Sequence, residues 1–174
     1  MKRSAEFTMD RMFDAPRDLV WRAWTEPELM SRWFGPKGCK TEVLELDLKP
    51  GGICHFSLRI GDAPLTYGKF VYQEIVPPEI ISWHHSFADA HGTPIRYPDN
   101  DAWPLVLLTK IRFEDHGPRT RMLFSWTPLD ALPEEIAEFE KGRPSMDQGW
   151  TGSFEQLEPL LGDLKFEDNE GKTT

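Results

Sequence analysis

The feature that most constrains the fold is a long run of strand patterns that only one extended helix follows. Between Cys39 and Thr127, apolar residues recur mostly at every second position, and turn sequences such as Pro50-Gly51-Gly52 interrupt them. This pattern is typical of antiparallel strands with one buried face. Strands are predicted from Cys39 through the alternating residues Leu44, Leu46 and Leu48, and then over Ile53–Ile60, Leu65–Ile75, Ile80–Phe87, Leu105–Asp115 and Thr120–Thr127.

The helix that follows the strands carries a single apolar stripe. Its residues are separated by 4, 4, 3 and 4 positions, which places them on one helix face: Met146, Trp150, Phe154, Leu157 and Leu161. Pro159 lacks an amide hydrogen and is expected to kink this helix or distort its end. The residues after Gly162 are polar and charged, so we expect them to form a frayed tail.

The N-terminal part adds one strand, over Glu6–Phe13, and two short helices, over Pro16–Trp24 and Pro27–Trp33. Together these elements predict an α+β fold in which a curved antiparallel sheet of about seven strands surrounds one long C-terminal helix. Residues 1–162 are predicted to form a single domain and residues 163–174 a polar tail. Because a helix about 10 Å wide cannot fill a strongly curved sheet, a cavity between them is expected.

Charge and composition exclude several classes of partner. The chain has 20 Lys and Arg against 29 Asp and Glu, a net charge of −9, which disfavours binding to nucleic acid. No stretch of 18 apolar residues and no signal peptide is visible, so neither membrane insertion nor export is expected. Two cysteines, Cys39 and Cys54, are too few for a disulfide framework or a zinc site, and a cytoplasmic location is predicted.

Four sequence stretches resemble a known family, that of the activator of heat-shock-protein-90 ATPase homologues, within the START-like or SRPBCC superfamily. They occur in the family's order and extend the resemblance over roughly residues 6–161. The resemblance implies a helix-grip fold, whereas activity does not follow from fold alone. The stretches are Phe13-Asp14-Ala15-Pro16 with its continuation to Trp33-Phe34-Gly35-Pro36, Asp47-Leu48-Lys49-Pro50-Gly51-Gly52, Tyr72-Gln73-Glu74-Ile75 with Pro77-Pro78-Glu79, and Gly149-Trp150-Thr151.

Residues on one phase of the predicted strands and helix are candidates for a ligand-binding wall. They either line a pocket for a hydrophobic or aromatic molecule or form a solid core. The candidates are Phe56, Leu58, Phe70, Tyr72, Trp83, His85, Thr109, Ile111, Met122, Phe124, Trp126, Met146, Trp150 and Phe154. The long loop Ala88–Pro104 contains Tyr97 and Trp103, which either gate the mouth of such a pocket or tuck onto the sheet.

Catalytic chemistry has only weak candidates. His85 shares a strand phase with Trp83 and points inward, where it could act with Tyr72 as an acid–base group or be a core histidine satisfied by one hydrogen bond. His84, His85 and His91 lack the spacing of a metal site, and no nucleotide-binding or nucleophile motif is present. We therefore expect no metal and no cofactor.

Three functions are compatible with these observations. The first is binding of a small hydrophobic or aromatic molecule between the sheet and the C-terminal helix. The second is a cyclase- or hydrolase-type enzyme that uses the same cavity. The third, which the resemblance alone implies, is a co-chaperone-like domain with a chaperone partner. A homodimer is compatible with all three.

Overall fold

The computed structural model describes residues 5–171 of the chain. Within these residues there are eight strands and four helices, and strand β6 and helix α3 are additional to the elements predicted above. In chain order the elements are β1 (Phe7–Phe13), α1 (Arg17–Thr25), α2 (Pro27–Trp33), β2 (Cys39–Leu46), β3 (Ile53–Ile60), β4 (Thr66–Val76), β5 (Ile80–Ala88), β6 (Pro94–Ile95), β7 (Leu107–His116), β8 (Arg119–Pro128), α3 (Pro133–Lys141) and α4 (Arg143–Gly171).

The strands form one curled antiparallel sheet with the order β1-β8-β7-β5-β4-β3-β2, and the two-residue strand β6 pairs with the end of β5. Helix α4 lies in the concave face of this sheet, and α1 and α2 precede the long meander. The predicted α+β helix-grip fold, with its seven-stranded sheet and long C-terminal helix, is confirmed. None of the described helices is both long and apolar enough to cross a membrane.

The C-terminal helix is longer than the sequence suggests. A frayed tail after Gly162 was the wrong expectation for the described part of that segment, because α4 continues to Gly171. Leu164 extends the buried stripe, and Lys165 pairs with Asp14 at 3.3 Å. The helix also passes through Pro159, which lies on the exposed face, where a missing backbone hydrogen bond is replaced by water most easily. Residues 172–174 lie outside the described part.

Strand β2 departs from the predicted alternation. A β-bulge between Val43 and Glu45 shifts the register against β3, so Val43 and Leu46 pack on the core on either side of it. Leu44 is therefore 46% exposed, and Leu48, which lies beyond the strand, is 37% exposed. The prediction of Leu44 and Leu48 on the buried face was wrong for two reasons: a bulge reverses the pleat at Leu44, and the strand ends at Leu46, before Leu48.

One end of the space between the sheet and α4 is packed solid with aromatic rings. We call it the closed end, and it consists of Trp24, Trp33, Tyr72, Trp83 and Phe154, none more than 1% exposed. The ring of Trp24 lies 4.6 Å from Trp33 and 5.6 Å from Trp83, centroid to centroid. The two early helices supply Trp24 and Trp33, so these helices fill the part of the curved sheet that α4 alone cannot reach.

Candidate functional site

The other end of the same space holds a cavity of about 560 Å³ between the sheet and the N-terminal half of α4. Strands β3, β4 and β5 and residue Trp126 of β8 form its floor, and the segment after α2 forms one side. We call this region the cavity end. Its principal apolar and aromatic wall residues are Phe56, Leu58, Leu107, Trp126, Met146 and Trp150.

Trp126 and Trp150 are fixed in different ways at the cavity wall. The Nε1 of Trp126 donates a hydrogen bond of 2.8 Å to the Oγ1 of Thr109, which holds the indole against the sheet. Trp150 lies 5.3 Å from Trp126 and 6.3 Å from Trp24, centroid to centroid. Trp150 therefore forms the boundary between the cavity end and the closed end.

Two glycines make room at the cavity end. A Cβ at Gly68 of β4 would lie 2.3 Å from Cζ of Phe56, so the Phe56 ring can lie across the strand only because this position has no side chain. Gly149 of α4 also lies on the cavity wall, and a Cβ there would meet nothing within 4 Å. Gly149 is thus a helix position on the cavity wall that has no side chain and has open space beside it.

The loop between β6 and β7 covers the cavity and is fastened to α3. The Nδ2 of Asn100 donates to Glu138 at 3.0 Å, and Arg96 forms an ion pair with the buried carboxylate of Glu135. The Trp103 ring packs against Gly142 and lies 5.8 Å from Phe139. The loop is therefore held mainly by polar interactions and by one indole ring, whereas the closed end has continuous aromatic packing.

Both aromatic residues of the proposed gate line the cavity. Tyr97 stacks on Phe87 with ring centroids 4.5 Å apart, and Trp103 adjoins the junction of α3 and α4. Trp103 packs against Phe139 of α3 and Gly142 rather than onto the sheet, and it also borders the cavity. Whether the loop opens to admit a ligand stays a prediction.

His85 lies on the cavity wall among aromatic rings. Its ring centroid is 4.9 Å from Phe70, 5.4 Å from Trp126 and 6.2 Å from Phe56. Its Nδ1 is fully buried and has no hydrogen-bond partner among the described residues. Nδ1 therefore does not supply the one hydrogen bond that the interpretation of His85 as a satisfied core histidine requires. Burial lowers the pKa of His85 to about 3, so the imidazole is neutral at pH 7.

The structure divides the predicted wall residues between the two ends. Phe56, Leu58, His85, Trp126, Met146 and Trp150 line the cavity. The others belong to the packed interior and do not line it: Phe70, Tyr72, Trp83, Thr109, Ile111, Met122, Phe124 and Phe154. The physical reason is that Trp24 and Trp33 occupy the space in front of the interior strand positions.

The structure places Tyr72 and His85 apart, because His85 lines the cavity and Tyr72 does not. The Tyr72 hydroxyl is buried in the closed end beside the Cys54 thiol. Burial raises the pKa of Tyr72 well above its ordinary value and that of the Cys54 thiol to about 12. Among residues 5–171, no group of three or more His, Cys, Asp or Glu side chains is placed to hold a metal ion.

Several wall residues were not anticipated. Phe34, Gly35 and Pro36 form one side of the cavity, although the sequence suggests only that a helix stops there. Ser153 and Gln156 of α4 hold this segment by donating to the Gly35 carbonyl at 2.7 and 2.8 Å. Gly68 was also missed, and an isolated glycine within a strand pattern was the available signal for it.

One family of proteins matches most of the chain. The family model described as Activator of Hsp90 ATPase homolog 1-like protein matches residues 14–162. No curated protein matches the chain.

Among solved structures, a protein from Arthrobacter aurescens is 24% identical, with 91% of this chain and 86% of that one covered and a TM-score of 0.76. A protein from Chromobacterium violaceum is 23% identical, with coverages of 90% and 96% and a TM-score of 0.70. The AHSA1 protein from Silicibacter pomeroyi is 15% identical, with coverages of 94% and 99% and a TM-score of 0.67. At these identities the structures show a shared fold.

Proposed function

Because this chain belongs to the family of Activator of Hsp90 ATPase homolog 1-like proteins, we propose that it binds a small hydrophobic or aromatic molecule between the sheet and α4. The observation that carries the proposal is the cavity of about 560 Å³. Ligand pockets commonly measure roughly 300–1,000 Å³ and have mainly apolar walls with few polar groups. This cavity has both properties.

The contrast with the closed end supports a binding role for the cavity. Unfilled apolar space lowers the stability of a protein, and interiors are normally packed to the density of organic crystals. The closed end reaches that state with indole and phenyl rings. The cavity end has glycines at Gly68 and Gly149, where larger side chains would reduce the space.

The geometry favours binding over the cyclase- or hydrolase-type alternative. Acid–base catalysis requires ionisable groups within hydrogen-bond reach of one point in the pocket. The Tyr72 hydroxyl is enclosed in the closed end, and His85 has no ionisable partner among the described residues. The charged wall residues Glu138 and Lys141 pair with each other at 3.1 Å.

The proposal can be tested with N-phenyl-1-naphthylamine, an uncharged probe whose fluorescence rises and shifts to the blue in apolar surroundings. We expect saturable 1:1 binding to the wild-type protein and quenching of tryptophan emission, because Trp126 and Trp150 line the cavity. The substitution Gly149→Leu fills the open space on the wall and should weaken probe binding at least tenfold. Leucine also favours the helical state over glycine by about 1 kcal/mol, so the variant should fold.

The matched control is Gly162→Leu on the same helix. A Cβ at Gly162 also meets nothing within 4 Å, but this residue is exposed and lies away from the cavity. It should bind the probe as the wild type does. Absence of saturable binding by the wild type, or equal affinities of the two variants, would contradict the proposal.

A further inference from the structure

The imidazole of His85 has one buried nitrogen and one that faces the cavity. Nδ1 is fully buried with no hydrogen-bond partner in the described chain, and the ring lines the cavity. The edge that remains for contact with a ligand is therefore the Nε2 edge. Strand pairing fixes the position of the ring on the sheet, because His85 of β5 lies between Phe70 of β4 and Leu107 of β7.

The buried nitrogen determines which tautomer is stable. A neutral imidazole carries one N–H and one bare nitrogen. Buried N–H groups without an acceptor are rarer in proteins than buried acceptors without a donor, because the unpaired N–H is the costlier of the two. Nδ1 is thus the bare nitrogen, and Nε2 carries the proton toward the cavity.

The surroundings of His85 restrict the chemistry of a matching ligand. The nearest rings are Phe56, Phe70 and Trp126, and none offers a hydrogen-bond acceptor. A ligand hydroxyl that accepted from Nε2 would leave its own proton unpaired here, whereas a carbonyl oxygen has only acceptor sites. A carboxylate at this point would lose its hydration among the aromatic rings, and the one cationic side chain among the described residues of the cavity wall, Lys141, is already paired with Glu138.

We propose that the Nε2–H of His85 donates a hydrogen bond to the carbonyl oxygen of an uncharged aromatic ketone or quinone in the cavity. This inference rests on the proposed binding function and specifies its ligand class. His85 is then a specificity-determining residue. The aromatic walls contact the ring system of the ligand, and the Nε2–H of His85 distinguishes ligands that have a carbonyl oxygen from those that do not.

The test uses two compounds of nearly equal shape, 2-acetylnaphthalene and 2-isopropenylnaphthalene, in which C=CH₂ replaces C=O. Each competes with N-phenyl-1-naphthylamine for the wild-type protein and for His85→Phe. We expect the ratio of the alkene Kd to the ketone Kd to fall about tenfold in His85→Phe, the effect of losing one hydrogen bond of typical strength. His85→Gln, which keeps an N–H donor, should restore part of the preference.

The tautomer is measured independently by ¹⁵N NMR of the histidine rings in the intact wild-type protein. We expect Nδ1 of His85 to have the shift of a bare nitrogen and Nε2 that of a protonated one. A protonated Nδ1, or an unchanged Kd ratio between the wild type and the variant, would overturn the inference while leaving the binding function intact. Failure of all three aromatic compounds to bind the wild type would overturn both. If His85→Phe does not fold, the NMR result and the His85→Gln ratio decide.

Discussion

The closed end and the cavity end lie on the same sheet, face the same helix and use the same kinds of residue, yet only one of them is filled. At the closed end, Trp24 and Trp33 from the early helices insert between the sheet and α4 and contact Phe154. At the cavity end neither early helix contributes a wall residue, and the cover is a loop held by polar contacts from Asn100 and Arg96. The difference teaches that in this fold the placement of α1 and α2 decides where a cavity remains.

The largest effect that separates the two ends is expected from tryptophan truncation. Trp24→Ala removes a ring that is 1% exposed and contacts Trp33, Trp83 and Trp150, so it should lower the free energy of unfolding by about 3–5 kcal/mol. Trp126→Ala removes a partly exposed ring and should cost less, about 1–3 kcal/mol, while weakening probe binding. Urea unfolding and probe titration measure both quantities. Equal losses of stability would remove the distinction between a filled and an unfilled end.

A smaller effect is expected from adding one methyl group to the floor of the cavity. Gly68→Ala forces the Phe56 ring to move, because the new Cβ would lie 2.3 Å from it. We expect a loss of about 1–3 kcal/mol in unfolding free energy together with weaker probe binding. Gly149→Ala is the control, since its Cβ meets nothing within 4 Å, and it should gain up to about 1 kcal/mol. If thermal unfolding shows that Gly68→Ala is the more stable of the two variants, the cavity floor can rearrange to accept the added methyl group.

The effect that is smallest near neutral pH, and grows only on acidification, is a pH dependence specific to the cavity end. Burial lowers the pKa of His85 to about 3 in the folded protein, against 6.5 for an ordinary histidine. Between these two values the unfolded chain takes up a proton that the folded protein does not. Stability should therefore fall as the pH drops from about 6.5 toward 3, by at most about 1.4 kcal/mol per pH unit from this group. Urea unfolding of the wild type and of His85→Gln over this range isolates the contribution, and parallel pH profiles would be evidence against a buried, uncharged imidazole.

The sequence predicts the fold well because its evidence is local. Alternating apolar positions define the strands, and the stripe from Met146 to Leu161 defines the helix. The same patterns reveal which residues face inward, and on this basis Phe56, Trp126 and Trp150 were candidates that do line the cavity. Periodicity thus identifies an inner face, although it does not show whether that face is covered by protein or by open space.

The features of the site that the sequence does not predict depend on packing between segments that are distant in the chain. Tyr72 and Trp83 have the same phase as His85, but Trp24 of α1 packs on Trp83, and Tyr72 packs beside Trp83. No pattern within β4 or β5 encodes the contact with α1. Leu44 was misassigned because of a bulge, and the length of α4 was underestimated because charged residues surround Leu164, which alone of the apolar residues after Gly162 is buried in the described chain. The neutral, unpaired state of His85 likewise arises from aromatic neighbours on other strands.

The contacts of Trp150 also have a photophysical consequence. Trp33, Trp24, Trp150 and Trp126 form a continuous series in which neighbouring rings are 4.6, 6.3 and 5.3 Å apart, and Trp83 joins it through Trp24. At such separations excitation migrates between indoles faster than it is emitted. A molecule that quenches Trp126 or Trp150 at the cavity will therefore lower the emission of all five tryptophans in the series, including those at the closed end.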